Sequence, residues 1–93
     1  MGKYFVDFEP KAKEEIKAHL KPGNKANIKK LEKILIELEQ TPFEGIGIPE
    51  PLKYELSGFW SRKINQKDRM IYKVEEDIVT VFVISAMGHY SDK

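Results

Sequence analysis

Three kinds of side chain that can take part in phosphate chemistry lie in the second half of this chain: a carboxylate, a group of cations and an imidazole. The carboxylate is Glu50, in a loop between two prolines. The cations include Lys63 and Arg69, on either side of a short turn, and the imidazole is His89. A carboxylate or imidazole can transfer protons, and lysine and arginine bind phosphate. Together these residues are suited to phosphate chemistry that needs no metal ion.

Each of these residues also has a simpler interpretation when it is taken alone. Loop glutamates and arginines beside turns are usually solvated surface charges, and a histidine near a C-terminus often has no acid–base role. His19, on a lysine-rich segment, is interpreted as incidental. Two histidines without cysteine or a spaced carboxylate cluster do not favour a metal site, and the segment 45–47 is too short for a phosphate-binding glycine loop.

The composition predicts one small globular domain spanning residues 1–93. Hydrophobic residues make up 41% of the chain, and the absence of cysteine excludes disulfides and thiolate metal ligands. No apolar run is long enough for a membrane span and no signal-peptide pattern is present, so we expect a cytoplasmic protein. The net charge of +1 provides no general attraction to nucleic acid, so any nucleic-acid surface must be local.

The hydrophobic pattern predicts an α+β fold, with a helical hairpin packed on one face of a mainly antiparallel sheet. The first helix is expected to bury apolar residues at four-residue spacing up to Leu20, and Asn24 or Asn27 is expected to cap the second. The rigid, proline-flanked Glu50 follows the helices. The predicted elements are strands at 4–8, 52–56 and 78–86, helices at 10–20 and from the cap to residue 40, and a hairpin that turns at 65–67.

The register of that hairpin follows from the alternation of its residues. If residues 65–67 form the turn, Lys63 lies opposite Arg69 and Trp60 lies opposite Tyr72. One face is then apolar, with Arg62 as its exception, and the other is cationic; a four-residue turn would mix the two faces. Lys63 and Arg69, directly opposed, would repel each other unless an anion lay between them. The pattern therefore indicates an anion site on the cationic face.

Five segments in their order along the chain resemble the YoeB/Txe branch of the RelE toxin superfamily of type II toxin–antitoxin systems. They are Thr41-Pro42-Phe43-Glu44-Gly45, Pro49-Glu50-Pro51-Leu52-Lys53, Leu56-Ser57-Gly58-Phe59-Trp60-Ser61-Arg62, Arg69-x-x-Tyr72 and His89-Tyr90. They cover the C-terminal half almost continuously, whereas the first 40 residues agree mainly in their strand–helix–helix layout.

The resemblance implies a RelE-like fold and a ribosome-dependent, metal-free endoribonuclease that cleaves messenger RNA and inhibits translation without a cofactor. It also implies a cognate YefM/Axe-like antitoxin and a possible homodimer. By position, Glu50 matches the general base, His89 the general acid and Arg69 the residue that stabilises the transition state. Residues expected to bind the substrate are Tyr90, Lys53 and Lys63.

Two other functions remain open from the sequence. The same fold occurs in ParE-like toxins, which inhibit DNA gyrase without cleaving nucleic acid, although that branch is not expected to combine Glu50, Arg69 and His89-Tyr90. A homologue that has lost its activity and only binds an antitoxin is the other alternative. A gyrase supercoiling assay and a messenger-cleavage assay distinguish these functions.

Overall fold

Two helices pack against one face of a five-stranded sheet in the computed structural model, which describes residues 3–23 and 25–88. The strands lie in the order β1-β5-β4-β3-β2; β1 pairs with β5 in parallel and the other described pairings are antiparallel. The predicted α+β architecture is therefore confirmed. The elements are β1 (Phe5–Phe8), α1 (Pro10–Leu20), α2 (Lys25–Leu38), β2 (Glu50–Pro51), a 3-10 helix (Tyr54–Leu56), β3 (Phe59–Lys63), β4 (Arg69–Glu75) and β5 (Thr80–Ser85).

The helices bury narrow apolar faces against the sheet. In α1, Pro10 occupies the first turn, where a missing N–H costs nothing, but Leu20 is exposed and His19 is buried in its place. Asn27 lies inside α2, so it is not the cap, and Asn24 falls outside the described residues. Neither described helix is long and apolar enough to cross a membrane. The core combines Ala12, Leu31, Ile34 and Leu38 from the helices with Met70, Tyr72, Val81 and Val83 from the sheet.

The register predicted for the hairpin is confirmed. Lys63 pairs with Arg69 and Trp60 pairs with Tyr72 across β3 and β4. Because cross-strand partners share a face and neighbours along a strand alternate, Trp60 and Tyr72 face the helices while Lys63 and Arg69 lie on the opposite side. We call this opposite side, with Glu50, Ser61, Lys63 and Arg69, the cationic face.

The strand predicted at residues 52–56 is wrong. Tyr54 has a φ of +60°, which no strand accommodates, and the chain forms one 3-10 turn over Tyr54–Leu56. The strand at this point is instead β2, two residues long, which pairs with β3. Likewise β5 begins at Thr80 rather than Ile78, because the turn before it takes Val79 to a φ of +50°.

Candidate active site

Glu50 lies on the cationic face. It pairs with Ser61 in the antiparallel β2–β3 ladder, so its side chain shares the face of Ser61. Lys63 is two residues further along β3 and therefore projects from the same face, about 7 Å away along the strand. Arg69 lies directly opposite Lys63. The sheet thus brings three of the predicted site residues together on one surface.

The loop that carries Glu50 is attached to β3 on both sides of the carboxylate. Before it, the Gly47 carbonyl accepts a hydrogen bond from the Lys63 N–H at 2.6 Å; after it, the Leu52 N–H donates to the Phe59 carbonyl at 2.8 Å. Gly47 has a φ of +82°, and a Cβ there would lie 2.9 Å from the Lys63 carbonyl oxygen. This close approach requires glycine. Glu50 itself is exposed to solvent and accessible to a substrate.

A third cation, Lys73, projects from the same side of β4. Lys73 forms an ion pair with Glu75 at 2.9 Å and lies over the ring of Phe59. Lys63 and Arg69 are half-buried and directly opposed, so their positive charges are concentrated at one point of the ladder. An anion placed between them would relieve their repulsion.

Lys53 is separated from these two cations along β3. Leu52 lies level with Phe59, so Lys53 follows at the end of β3 remote from Lys63, with Glu50 between them. Its side chain is exposed at the start of the 3-10 helix. Lys53 therefore lies apart from the pair formed by Lys63 and Arg69.

Arg62, one of the cations of the hairpin, is not on the cationic face. Its guanidinium is 0% exposed and points towards the helices, where it forms an ion pair with Glu37 at 2.7 Å. It donates further hydrogen bonds to the Thr41 carbonyl at 2.7 Å, the Glu44 carbonyl at 2.9 Å and the Tyr72 hydroxyl at 3.2 Å. Arg62 therefore fastens the loop before Glu50 to α2 and the sheet, and has no access to a phosphate.

The Tyr72 hydroxyl completes this buried network. It accepts the hydrogen bond from Arg62 Nε and donates its own to the Pro42 carbonyl at 2.6 Å. Burial raises the pKa of Tyr72 and outweighs the opposing effect of Arg62, so the hydroxyl keeps its proton and its role as donor. Tyr72 is a core residue, as the alternation of the hairpin predicts.

Ser61 also lies on the cationic face, although the sequence did not single it out. It is fully buried, and its Oγ is a buried side-chain polar atom with no hydrogen-bond partner among the described residues. It lies between Glu50 on β2 and Ile71 on β4. Nothing in the alternation of the strand signals this, because a serine on a predicted polar face is normally solvated.

Gly88, the last of the described residues, lies beside Arg69. The Arg69 N–H donates to the Gly88 carbonyl at 3.1 Å, and the Gly88 N–H donates to Asp68 Oδ1 at 2.9 Å. Burial alone would raise the pKa of Asp68, but hydrogen bonds from Gly88 and Asn65, together with the nearby His19 and Lys67, lower it below its ordinary value. The predicted site residues His89 and Tyr90 lie outside the described residues.

Comparison with known proteins gives consistent matches to one family. A sequence model described as "YoeB-like toxin of bacterial type II toxin-antitoxin system" matches residues 8–90. Toxin YoeB of Mycobacterium bovis is 39% identical over 85 residues, which are 91% of this chain and 96% of that protein. The YoeB dimer from Staphylococcus aureus has a TM-score of 0.78 at 32% identity and covers 95% of this chain and 99% of its own. The YoeB–YefM complex from the same organism has a TM-score of 0.76 at 34% identity, covering 94% and 98%.

Proposed function

Because this chain belongs to the YoeB-like toxin family of bacterial type II toxin–antitoxin systems, we propose that it is an endoribonuclease that cleaves messenger RNA on the ribosome and so inhibits translation. The observation that carries this proposal is that Glu50, Lys63 and Arg69 share one face of the sheet. A carboxylate beside two cations matches what RNA transesterification requires: a base for a hydroxyl and positive charge for a phosphate.

In the proposed reaction, the 2′-hydroxyl of one nucleotide attacks the adjacent phosphorus. Glu50 accepts the 2′-proton while the bond from the 2′-oxygen to phosphorus forms. The bond from phosphorus to the 5′-oxygen breaks, and His89 donates a proton to that oxygen. The products are a 2′,3′-cyclic phosphate and a free 5′-hydroxyl. The atoms and protons of this reaction therefore balance without a metal ion or a cofactor. Each proton transfer contributes about 10²–10⁴-fold, and DNA, which lacks the 2′-hydroxyl, is not a substrate.

The cations have separate roles in this reaction. Arg69 stabilises the charge that develops on the scissile phosphate, and Lys63 adds to it from the facing strand position. Lysine lacks the two-pronged donor geometry of arginine, so Arg69 is the stronger partner. Lys53, on the far side of Glu50, binds a neighbouring phosphate, and Tyr90 orders the substrate.

The ribosome supplies what the free protein lacks. With a net charge of only +1, the protein attracts RNA weakly, and Glu50 lies in water until a substrate covers it. A ribosome that holds the messenger extended would position the scissile phosphate over the cationic face and exclude water from the carboxylate.

The proposed partner that neutralises the toxin is a YefM-like antitoxin. The complex of S. aureus YoeB with YefM supports this proposal, because the structural match covers 94% of this chain. The S. aureus YoeB dimer likewise supports a homodimer of this chain. Copurification with the antitoxin encoded beside the toxin gene, followed by measurement of the mass of the complex, tests both.

The central experiment is to add the purified protein to a reconstituted translation system and to map the ends of the messenger. Glu50→Gln, Arg69→Ala and His89→Ala are each expected to lower the cleavage rate by about 100-fold or more. Lys33→Ala is the matched control, because it removes an exposed cation from α2, on the other side of the sheet from the cationic face. It should change the rate less than about threefold.

Circular dichroism and antitoxin binding show whether each variant still folds. Cleavage by all three site variants at the wild-type rate would reject the assignment of the site. Inhibition of gyrase supercoiling without cleavage of the messenger would instead identify a ParE-like toxin.

A further inference from the structure

The backbone just after β5 is held mainly by side chains rather than by a neighbouring strand. The Ala86 N–H donates to Glu15 Oε1 at 2.7 Å, and the Ala86 carbonyl accepts from His19 Nε2 at 2.7 Å. Two residues later, the Gly88 N–H donates to Asp68 Oδ1 at 2.9 Å, and the Gly88 carbonyl accepts from the backbone of β4. All four polar backbone groups of Ala86 and Gly88 are therefore satisfied after the β5 ladder has ended.

These contacts are made largely by buried residues. Ala86 is fully buried, His19 is 4% exposed and Asp68 is 7% exposed. Both bonds to carboxylates are short, and hydrogen bonds to ionised groups are about twice as strong as neutral ones. Because a carbonyl accepts from His19 Nε2, that nitrogen carries its proton. Because all four polar backbone groups of Ala86 and Gly88 have partners, the segment 86–88 is held in one defined position.

The attachment also fixes residue 88 relative to Arg69. Asp68 holds the N–H of Gly88, and the next residue, Arg69, holds its carbonyl. The position of Gly88 is thus set by the same turn of the chain that positions the cation proposed to bind the scissile phosphate. His89 is the residue after Gly88 in the sequence.

We propose that Glu15, His19 and Asp68 are positioning residues that fix the segment 86–88 and thereby set the reach of His89 towards the 5′-oxygen of the scissile phosphate. This inference rests on the proposed function, in which His89 protonates that oxygen. A general acid must come within about 2.6–3.2 Å of the atom it protonates, and a misplacement of about 1 Å can cost about 100-fold in rate. Three side chains from α1 and from the β3–β4 turn provide this precision from outside the catalytic surface.

The test uses a substrate that does not need the acid. Sulfur in place of the 5′-oxygen at the cleavage site leaves as a thiolate, which requires no proton, while the attack by the 2′-hydroxyl is unchanged. Ribosomes programmed with oxygen- or sulfur-linked messenger are mixed with excess toxin, and the two single-turnover rates are measured with the same preparation. The ratio of the sulfur rate to the oxygen rate is independent of the fraction of toxin that has folded, so partial unfolding of a variant does not obscure the result.

His19→Leu removes the hydrogen bond to the Ala86 carbonyl, and Asp68→Ala removes the hydrogen bond from the Gly88 N–H. The two changes lie in different elements and are independent of each other. Both are expected to raise the sulfur-to-oxygen ratio at least 10-fold above that of the wild type. His19→Gln retains a donor at Nε2 and Asp68→Asn retains an acceptor at Oδ1, so both should keep the ratio within about threefold of the wild type. Lys13→Gln, exposed on α1, is the control for a change in the helix.

The His89→Ala variant distinguishes a failure of the proposed function from a failure of the positioning role. If its ratio does not rise, His89 is not the acid and the proposed function is wrong in that role. If its ratio rises while those of His19→Leu and Asp68→Ala stay at the wild-type value, the segment 86–88 is held for stability alone and the positioning role is rejected.

Discussion

Replacement of the buried Arg62 by alanine is expected to lower the free energy of unfolding by about 4 kcal/mol. Its guanidinium contacts Glu37, the carbonyls of Thr41 and Glu44, and the Tyr72 hydroxyl, all on the side of the sheet that faces the helices. Removing one partner of a buried ion pair typically costs about 3–5 kcal/mol, because the other charge stays buried without compensation. The Glu37 side chain keeps 23% of its exposure, so water offsets part of the loss and the middle of that range applies.

The Arg62→Lys variant separates charge from geometry. An ammonium keeps the charge but cannot reach all the acceptors of the guanidinium, so we expect a loss of about 2 kcal/mol. Urea unfolding of both variants gives the midpoints and slopes, and for alanine the melting temperature should fall by roughly 20 °C. Lys33→Ala, exposed on α2, is the control and should change stability by less than about 0.5 kcal/mol. If Arg62→Ala costs under about 1 kcal/mol, the buried arginine does not hold the loop before Glu50.

Three further changes test the local geometry. Gly47→Ala should cost about 2–3 kcal/mol, because it combines an unfavourable φ with a contact at the Lys63 carbonyl. Gly23→Ala, with a similar φ and open space around it, should cost only about 1 kcal/mol in the same urea assay; equal losses would argue against the close approach at Gly47. Ser61→Ala removes a buried hydroxyl that has no partner among the described residues, so stability should stay unchanged or rise by up to about 1 kcal/mol, and a lower urea midpoint would contradict this. The pKa of Asp68 is lower in the folded state than its ordinary value of 3.8, so its stabilising contribution is complete above that value and disappears as the pH falls through the folded-state pKa. The difference in urea midpoint between wild type and Asp68→Asn should therefore be constant well above pH 3.8 and shrink as the pH falls below it, and a difference that persists at low pH would refute the shift.

The β3–β4 hairpin could be predicted in detail because its residues alternate in type. A shift of one residue would have moved Trp60 and Tyr72 from the core to solvent, so a single register was compatible with burial. The same alternation placed Arg62 on the core face as an exception. Most of its acceptors come from α2 and from the loop at 41–46, which are remote in sequence, and no local pattern could show that a charge on that face would be satisfied.

Errors arose where distant contacts override local preference. Leu20 fits the apolar spacing of α1, yet His19 is the buried residue. The buried His19 ring is hydrogen-bonded to the carbonyl of Ala86, which lies 67 positions further along the chain, so no local pattern could predict it. Residues 52–56 have strand-forming types, but Tyr54 takes a left-handed conformation as the chain turns back towards β3. The grouping of Glu50, Lys63 and Arg69 depends on the pairing of β2 with β3. That pairing involves only two residues, too few for a periodic signal.

The two faces of the hairpin are coupled through the backbone rather than through shared side chains. Consecutive residues of a strand point to opposite sides, so Arg62 does not reach a phosphate held beside Lys63. Arg62 nevertheless holds the loop at 41–46, and the next residue, Gly47, is hydrogen-bonded to Lys63 just before the chain reaches Glu50. If the proposed endoribonuclease activity is correct, a variant of Arg62 that still folds should therefore slow cleavage by displacing Glu50. A variant of Lys63, in contrast, should slow that cleavage with little loss of stability, because its side chain projects from the cationic face, outside the core.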